Sequence, residues 1–238
     1  MSTIGVFGGM GPSATVDFMD KLVQLTPAKR DQEHVPVIVA SLPHIHDRSR
    51  FILGQGPDPL PLLLKGIAFL NGAGVGVIAI PCNSSHHWYE QMCQASKAPI
   101  LHIARSCVAA IAQDDAQRVA IFATRGALAS GFYQRALQER GIAFLVPDPE
   151  SAQPLVDDCI REVKAADFAA SGASLGQAFE LASKQGATTV IMGCTEIPIA
   201  ARHTDPQGLR LVDSSLELAR ASVNYALERG WNRPGWDS

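Results

Sequence analysis

The chain has no Cys-x-x-Cys pair, although it carries five cysteines, Cys82, Cys93, Cys107, Cys159 and Cys194. An odd number without that spacing fits neither a disulfide framework nor a zinc ribbon, and a reducing, cytoplasmic compartment is expected. No run of Lys and Arg stands out and the formal net charge is −3, so a nucleic-acid partner is not expected. No apolar run reaches the roughly 18 residues that a membrane helix needs, so no membrane partner is expected either. The opening, Met1-Ser2-Thr3-Ile4-Gly5-Val6, runs straight into a strand with no basic segment before it, which argues against a signal peptide. Charge of both signs is scarce: 18% of residues are charged and 47% apolar. The charged share is below the usual quarter and suits an enzyme with a large core and a buried interface. At 238 residues there is room for one large domain or two small lobes.

What is present is organised around Val75-Gly76-Val77-Ile78-Ala79-Ile80-Pro81-Cys82-Asn83-Ser84-Ser85-His86. The apolar, partly β-branched run reads as a strand buried on both faces of a parallel sheet. Pro81 stops it, having no N–H to extend a ladder. Small hydroxyl and amide residues suited to capping a helix follow Cys82. The thiol is therefore expected at the carboxyl end of a central strand, where open α/β sheets bind ligands.

The rest of the chain alternates. Strands are predicted over residues 3–8, 35–40, 99–102, 118–123, 142–146, 188–192 and 209–212. Helices are predicted over 12–26, 62–71, from 85, and over 103–113, 127–140, 153–166, 174–185 and 214–229. Residues 42–48, Leu-Pro-His-Ile-His-Asp-Arg, read as a loop rich in titratable groups. Strict βα alternation implies parallel sheets with helices on both faces.

The layout contains a repeat. Thr3–Gly11 lies over Arg118–Gly126, a shift of 115 between residues 3 and 118. The strand ending at Cys82 matches the one ending at Cys194, a shift of 112. Both cysteine strands follow a helix and a Gly-Ala pair, Gly72-Ala73 and Gly186-Ala187. Duplication of one α/β unit predicts two pseudo-symmetric Rossmann-like lobes with central parallel sheets, residues 1–102 plus 209–238 and residues 103–208. Each lobe then brings one cysteine to an interlobe cleft. Two facing thiols without redox spacing suit two-base proton transfer, in which one group removes a proton and the other delivers one to the opposite face. A helix start after each cysteine would lower its pKa from the usual 8.5 or so. Cys93, Cys107 and Cys159 lack that setting and read as core or helix-face residues.

Three motifs make the comparison specific: Gly8-Gly9-Met10-Gly11-Pro12 with Ala14-Thr15, Pro81-Cys82-Asn83-Ser84-Ser85-His86, and Gly193-Cys194-Thr195-Glu196. They resemble the signatures of the PLP-independent aspartate/glutamate racemase family. Asp31-Gln32-Glu33-His34, Asp47-Arg48 and Ile52-Leu53-Gly54 resemble its aspartate racemase branch. The resemblance implies cofactor-independent racemisation of an acidic amino acid, aspartate or glutamate or both, as the small-molecule substrate, with Cys82 and Cys194 as the catalytic pair, and a homodimer. Arg48 and Lys164 fall where the branch has carboxylate-binding cations. Asn83, Ser84, Ser85, Thr124 and Thr195 are candidate donors to the substrate, with Met10 beside it. Glu196 is either a hydrogen-bonding neighbour of Cys194 or a helix-start acid. His86 matches the family's Pro-Cys-Asn-x-x-His and reads equally as a group that orients the thiol or as a satisfied core histidine. The branch has tyrosine four residues before the lysine; here Ile160 stands there, which opens glutamate or a broader amino-acid range.

Other signals are weaker. Gly9-Met10-Gly11-Pro12-Ser13-Ala14 fits G-x-G-x-x-A, but the second strand ends Val39-Ala40-Ser41-Leu42 without the acid a dinucleotide ribose needs. His44, His46 and His87 have no metal-ligand spacing, and no metal is expected. Asp213 reads as structural. Hydantoin racemases, arylmalonate-type decarboxylases and maleate isomerases share the fold as alternatives, and a non-enzymatic binding protein is the remaining one. Decarboxylases need a single cysteine, and a hydantoin ring leaves Arg48 and Lys164 without purpose.

Overall fold

A computed structural model describes residues 3–112 and 118–233. The chain divides into two compact units: residues 1–47, 56–103 and 215–238, and residues 48–55 and 104–214.

The first unit is built on β1 (Ile4–Gly8), β2 (Val37–Ser41) and β3 (Val77–Ala79), in the order β2-β1-β3 and all parallel. The sheet is extended at Ile100, which bridges Ile78 in parallel. The predicted strand over 99–102 is reduced to that bridge: Ile78 N–H donates to Pro99 O and Leu101 N–H to Ile78 O. One face carries Ile4, Val6, Val77 and Ala79 into a core with Phe18 and Leu22 of α1 (Pro12–Leu25) and Leu218 and Val223 of the C-terminal helix. Over the other face lies the helix Leu60–Gly72, whose Gly66 stands so close to Phe7 that a Cβ there would fall 2.2 Å from Cζ of the ring.

The second unit is built on β4 (Val119–Phe122), β5 (Phe144–Leu145), β6 (Thr189–Met192) and β7 (Arg210–Asp213), ordered β5-β4-β6-β7 and also parallel. Alternation along β4 sends Ala120 and Phe122 to one core and Val119 and Ile121 to another. Both faces are therefore covered, as an unbroken apolar run requires.

The repeat is visible in the registers. Ile4 pairs with Val77 and Val6 with Ala79; Val119 pairs with Thr189 and Ile121 with Ile191. Shifting 4 by 115 and 77 by 112 converts the first pair into the second. Strand order repeats too, with β1, β2, β3 and Ile100 standing for β4, β5, β6 and β7.

Several expectations are corrected. Residues 209–214 belong to the second unit, because β7 hydrogen-bonds to β6. Residues 48–55 also cluster there, although the chain around them belongs to the first unit. Arg48 does not lie in a loop but starts a short helix, α2 (Arg48–Ile52). In chain order the later helices are α3 (Leu60–Gly72), α4 (Tyr89–Ala95) and α5 (Ile103–Ala109). α5 is shorter than predicted, and its expected end, Gln113, lies outside the described residues. The helix predicted over 127–140 is broken into α6 (Arg125–Ser130) and α7 (Phe132–Gln138) by Gly131, which adopts φ +70. α8 (Ala152–Lys164), α9 (Phe168–Lys184), α10 (Ile197–Ala200) and α11 (Ser214–Glu228) complete the chain.

Candidate active site

In the first unit the C-terminal ends of β1 and β3 lie side by side and carry Met10 and Cys82. The β1–α1 loop is closed by Thr15, whose Oγ1 accepts from Gly9 N–H at 2.8 Å and donates to Gly11 O at 3.0 Å. That amide is therefore engaged within the loop and not offered to a ligand. Gly9 has φ +90, and a Cβ on it would fall 2.3 Å from Leu42 N. Cys82 is buried (5% exposed). Ser85 is fully buried, and its hydroxyl donates to Met10 Sδ at 3.3 Å. Ser85 thus fixes Met10, and it is Met10 that shapes the strand end.

The capping expected after Cys82 does not form. Asn83 takes helical φ and ψ (−59, −53) and makes no side-chain cap, and a 3₁₀ turn over Ser84–Trp88 precedes α4. Asn83 and Ser84 are both buried beside the thiol's backbone.

In the second unit the ends of β4 and β6 are likewise adjacent, with Phe122 paired to Met192. Gly193 N–H donates to Phe122 O at 2.7 Å, and a Cβ on Gly193 would meet the Tyr133 ring at 3.0 Å and Ala123 Cβ at 3.2 Å. Cys194 follows, 8% exposed, in the same apolar cluster as Ile160 of α8 and Ile197. Its Sγ donates to Glu196 Oε2 at 3.0 Å, and Thr195 Oγ1 donates to the same oxygen at 3.2 Å. Lys164 Nζ stands 3.9 Å from Glu196 Oε1, with a side chain 60% exposed.

Burial, and then the Glu196 carboxylate, push the Cys194 thiol well above its ordinary range. This reverses the expectation of a thiol lowered by a helix start. α10 has only four residues, its first lies three positions beyond Cys194, and Glu196 places negative charge in between.

Thr124 caps α6: its Oγ1 accepts from Ala127 N–H at 3.2 Å and from Ser49 Oγ at 2.9 Å. α2 is thereby pinned to the end of β4, and a Cβ on Gly126 would fall 2.6 Å from Ser49 Cα. Arg48 is carried on that pinned helix. Ser49 and Tyr133 escaped sequence reasoning. Ser49 sits 75 positions from Thr124, and Tyr133 is one aromatic in an ordinary amphipathic helix. Gln153 was missed as well: its Nε2 donates to Ala123 O at 3.1 Å and to Asp157 Oδ1 at 2.8 Å, and Asp157 pairs with Arg125 at 2.6 Å. Among the described residues no group of three or more His, Cys, Asp or Glu is placed to hold a metal ion, and no helix is long and apolar enough to cross a membrane.

Two parallel sheets of one strand order, each ending an inner strand on a buried thiol, define a duplicated α/β enzyme. Residues 7–221 match the Asp/Glu/hydantoin racemase family, to which the chain belongs. It is similar to the broad-specificity amino-acid racemase RacX of Bacillus subtilis (strain 168), 28% identical over 228 residues that cover 94% of this chain and 98% of RacX. Its fold resembles that of Picrophilus torridus aspartate racemase, with a TM-score of 0.81, 26% identity, and 95% and 94% of the two chains covered. The glutamate racemase of Francisella tularensis, solved with D-glutamate, has the same fold at a TM-score of 0.70 and 17% identity, covering 97% of this chain and 82% of its own. The chain is an isomerase of the racemase class.

Proposed function

We propose that this enzyme racemises an acidic amino acid without a cofactor, with Cys82 and Cys194 as the two bases. The observation that carries the reading is the register equivalence of the strands that deliver them. The same 115 and 112 shifts relate β1 to β4 and β3 to β6. The reading requires both thiols to reach one Cα from opposite sides.

The two thiols are not alike. Cys194 holds its proton on Glu196 in the resting enzyme, since burial and that carboxylate disfavour the thiolate. In the direction that begins at Cys82, its Sγ acts as the base and removes the Cα proton. The electron pair left at Cα spreads into the α-carboxylate, which takes enolate character. Sγ–H of Cys194 then delivers its proton to the opposite face, leaving Cys82 as thiol and Cys194 as thiolate. Arg48 and Lys164 bind the two carboxylates, and donors at Asn83, Ser84, Thr124 and Thr195 stabilise the enolate oxygens.

A second reading, a wider substrate range, is favoured by Ile160. It is 5% exposed within the apolar cluster that contains Cys194, and offers no donor to a side-chain carboxylate. It agrees with the similarity to RacX.

Protein without added PLP is incubated in deuterated buffer with single enantiomers of aspartate, glutamate and neutral amino acids. Racemisation with deuterium at Cα is expected for an acidic substrate, and its absence for every amino acid sinks the reading. Cys82→Ala and Cys194→Ala should each abolish racemisation while circular dichroism is unchanged; normal turnover by either refutes the pair. Arg48→Ala should impair acidic substrates at least tenfold more than neutral ones, a charge-assisted contact being worth roughly 1.5–3 kcal/mol.

A further inference from the structure

His86 stands four positions after Cys82 in the 3₁₀ turn and is 3% exposed. Its Nδ1 lies 3.0 Å from Cys82 O, and Ile103 N–H donates to its Nε2 at 3.2 Å. A backbone amide can only donate, so Nε2 is the acceptor. The single ring proton then sits on Nδ1 and is donated to the Cys82 carbonyl. Cys82 N–H donates to Ile80 O at 2.8 Å. Both backbone polar groups of the cysteine are thus held, one by Ile80 just after β3 and one by a ring seated on the first residue of α5. The ring is fixed in turn: it stacks on Tyr89 at 6.1 Å and 12°, packs against His102 at 5.1 Å, and Tyr89 Oη donates to Ile100 O at 2.9 Å.

We infer that His86 is a positioning residue for Cys82, setting the direction of the thiol by clamping its carbonyl to the start of α5. The inference rests on the reading of Cys82 as a base. It follows from geometry: a proton transfer loses about 10²-fold for a 1 Å misplacement, and the Cys82 backbone has one anchor fewer without the ring.

Two variants separate the two bonds. In His86→Asn the shorter amide reaches the place of Nδ1 and keeps the bond to Cys82 O. In His86→Gln the amide oxygen reaches the place of Nε2 and keeps the bond from Ile103. Turnover and the primary isotope effect are measured with Cα-deuterated L and D substrate, alongside Cys82→Ser. The expected result is a kcat about 10- to 100-fold lower in His86→Gln, a smaller loss in His86→Asn, and little change in KM. The isotope effect should rise for one enantiomer only, the one affected in Cys82→Ser. A lower kcat with unchanged isotope effects for both enantiomers indicates loss of folded enzyme alone and overturns the inference. So does wild-type kcat in both variants. Nitrogen NMR of the wild-type protein gives a check independent of any variant's folding: His86 should be the Nδ1–H tautomer, and an Nε2–H tautomer overturns the clamp. If Cys82→Ala racemises normally, the base assignment itself fails and the inference with it. If Cys82→Ala is dead while both His86 variants turn over at the wild-type rate, only the inference fails.

Discussion

Glu196 is the residue on which the chemistry of the second thiol turns. It is mostly buried, accepts from both Cys194 and Thr195, and faces Lys164 across 3.9 Å. Its charge raises the Cys194 pKa, so Glu196→Gln should lower it. In a Cys82→Ala background, the midpoint of Cys194 alkylation against pH should move to lower pH. Each unit of that shift is about tenfold more thiolate at a fixed pH below the midpoint. An unmoved midpoint would show that burial alone governs the thiol. His86 offers a second titration. Burial lowers its pKa from 6.5 to about 4, so the unfolded chain binds a proton that the folded one refuses. Stability from this group is intact above pH 6.5 and is lost as the pH falls towards 4, by roughly 3 kcal/mol. Denaturant unfolding at several pH values should show that slope, and His86→Gln should flatten it.

At the scale of elements, two glycines do different things. Gly131 turns the chain between α6 and α7 at φ +70, and a Cβ there would meet only the mobile end of Arg135, at 3.0 Å. Gly131→Ala should cost about 1–2 kcal/mol and lower Tm by several degrees while kcat holds. A Cβ on Gly9 would run into the backbone of Leu42, so Gly9→Ala should disrupt the β1–α1 loop and reduce activity more than tenfold. The contrast is read by calorimetry and turnover on the same preparations. These elements also show what a sequence can announce. β1, β4 and β6 are apolar runs and α1 opens on Pro12, signals that depend on near neighbours. α2 carries no such signal. Five residues with two arginines and one serine become helical where Ser49 meets Thr124 and Gly126, far away in the chain. The capping expected at Asn83 fails for a related reason: His86 and Ile103 decide the path after Cys82. Motifs named the cysteines; which groups would surround each thiol was decided by residues distant in sequence or by a single charge two positions on.

For the whole molecule, the repeat predicts that the paired strand ends share one task. The resemblance to racemases adds a homodimer, which light scattering should report as twice the chain mass of 25.4 kDa; a single-chain mass at micromolar concentration refutes it. Duplication makes the halves alike in strand order and register, yet the residues beside the thiols have diverged. Shifted by 112, Glu196 falls on Ser84 and His86 on Pro198. Catalysed interconversion of mirror images has an equilibrium constant of one, so the catalyst gains nothing by preferring a side, but its own two protonation forms need not be equally populated. Each turnover as proposed exits in the form opposite to the one it entered, and the enzyme must swap protons with solvent before it accepts the same enantiomer again. At high concentrations of a single enantiomer that reset becomes the slow step. Unequal neighbours at equivalent strand ends therefore favour one resting form over the other, and turnover of a single enantiomer levels off at the rate of the proton swap, even though the reaction itself is symmetric.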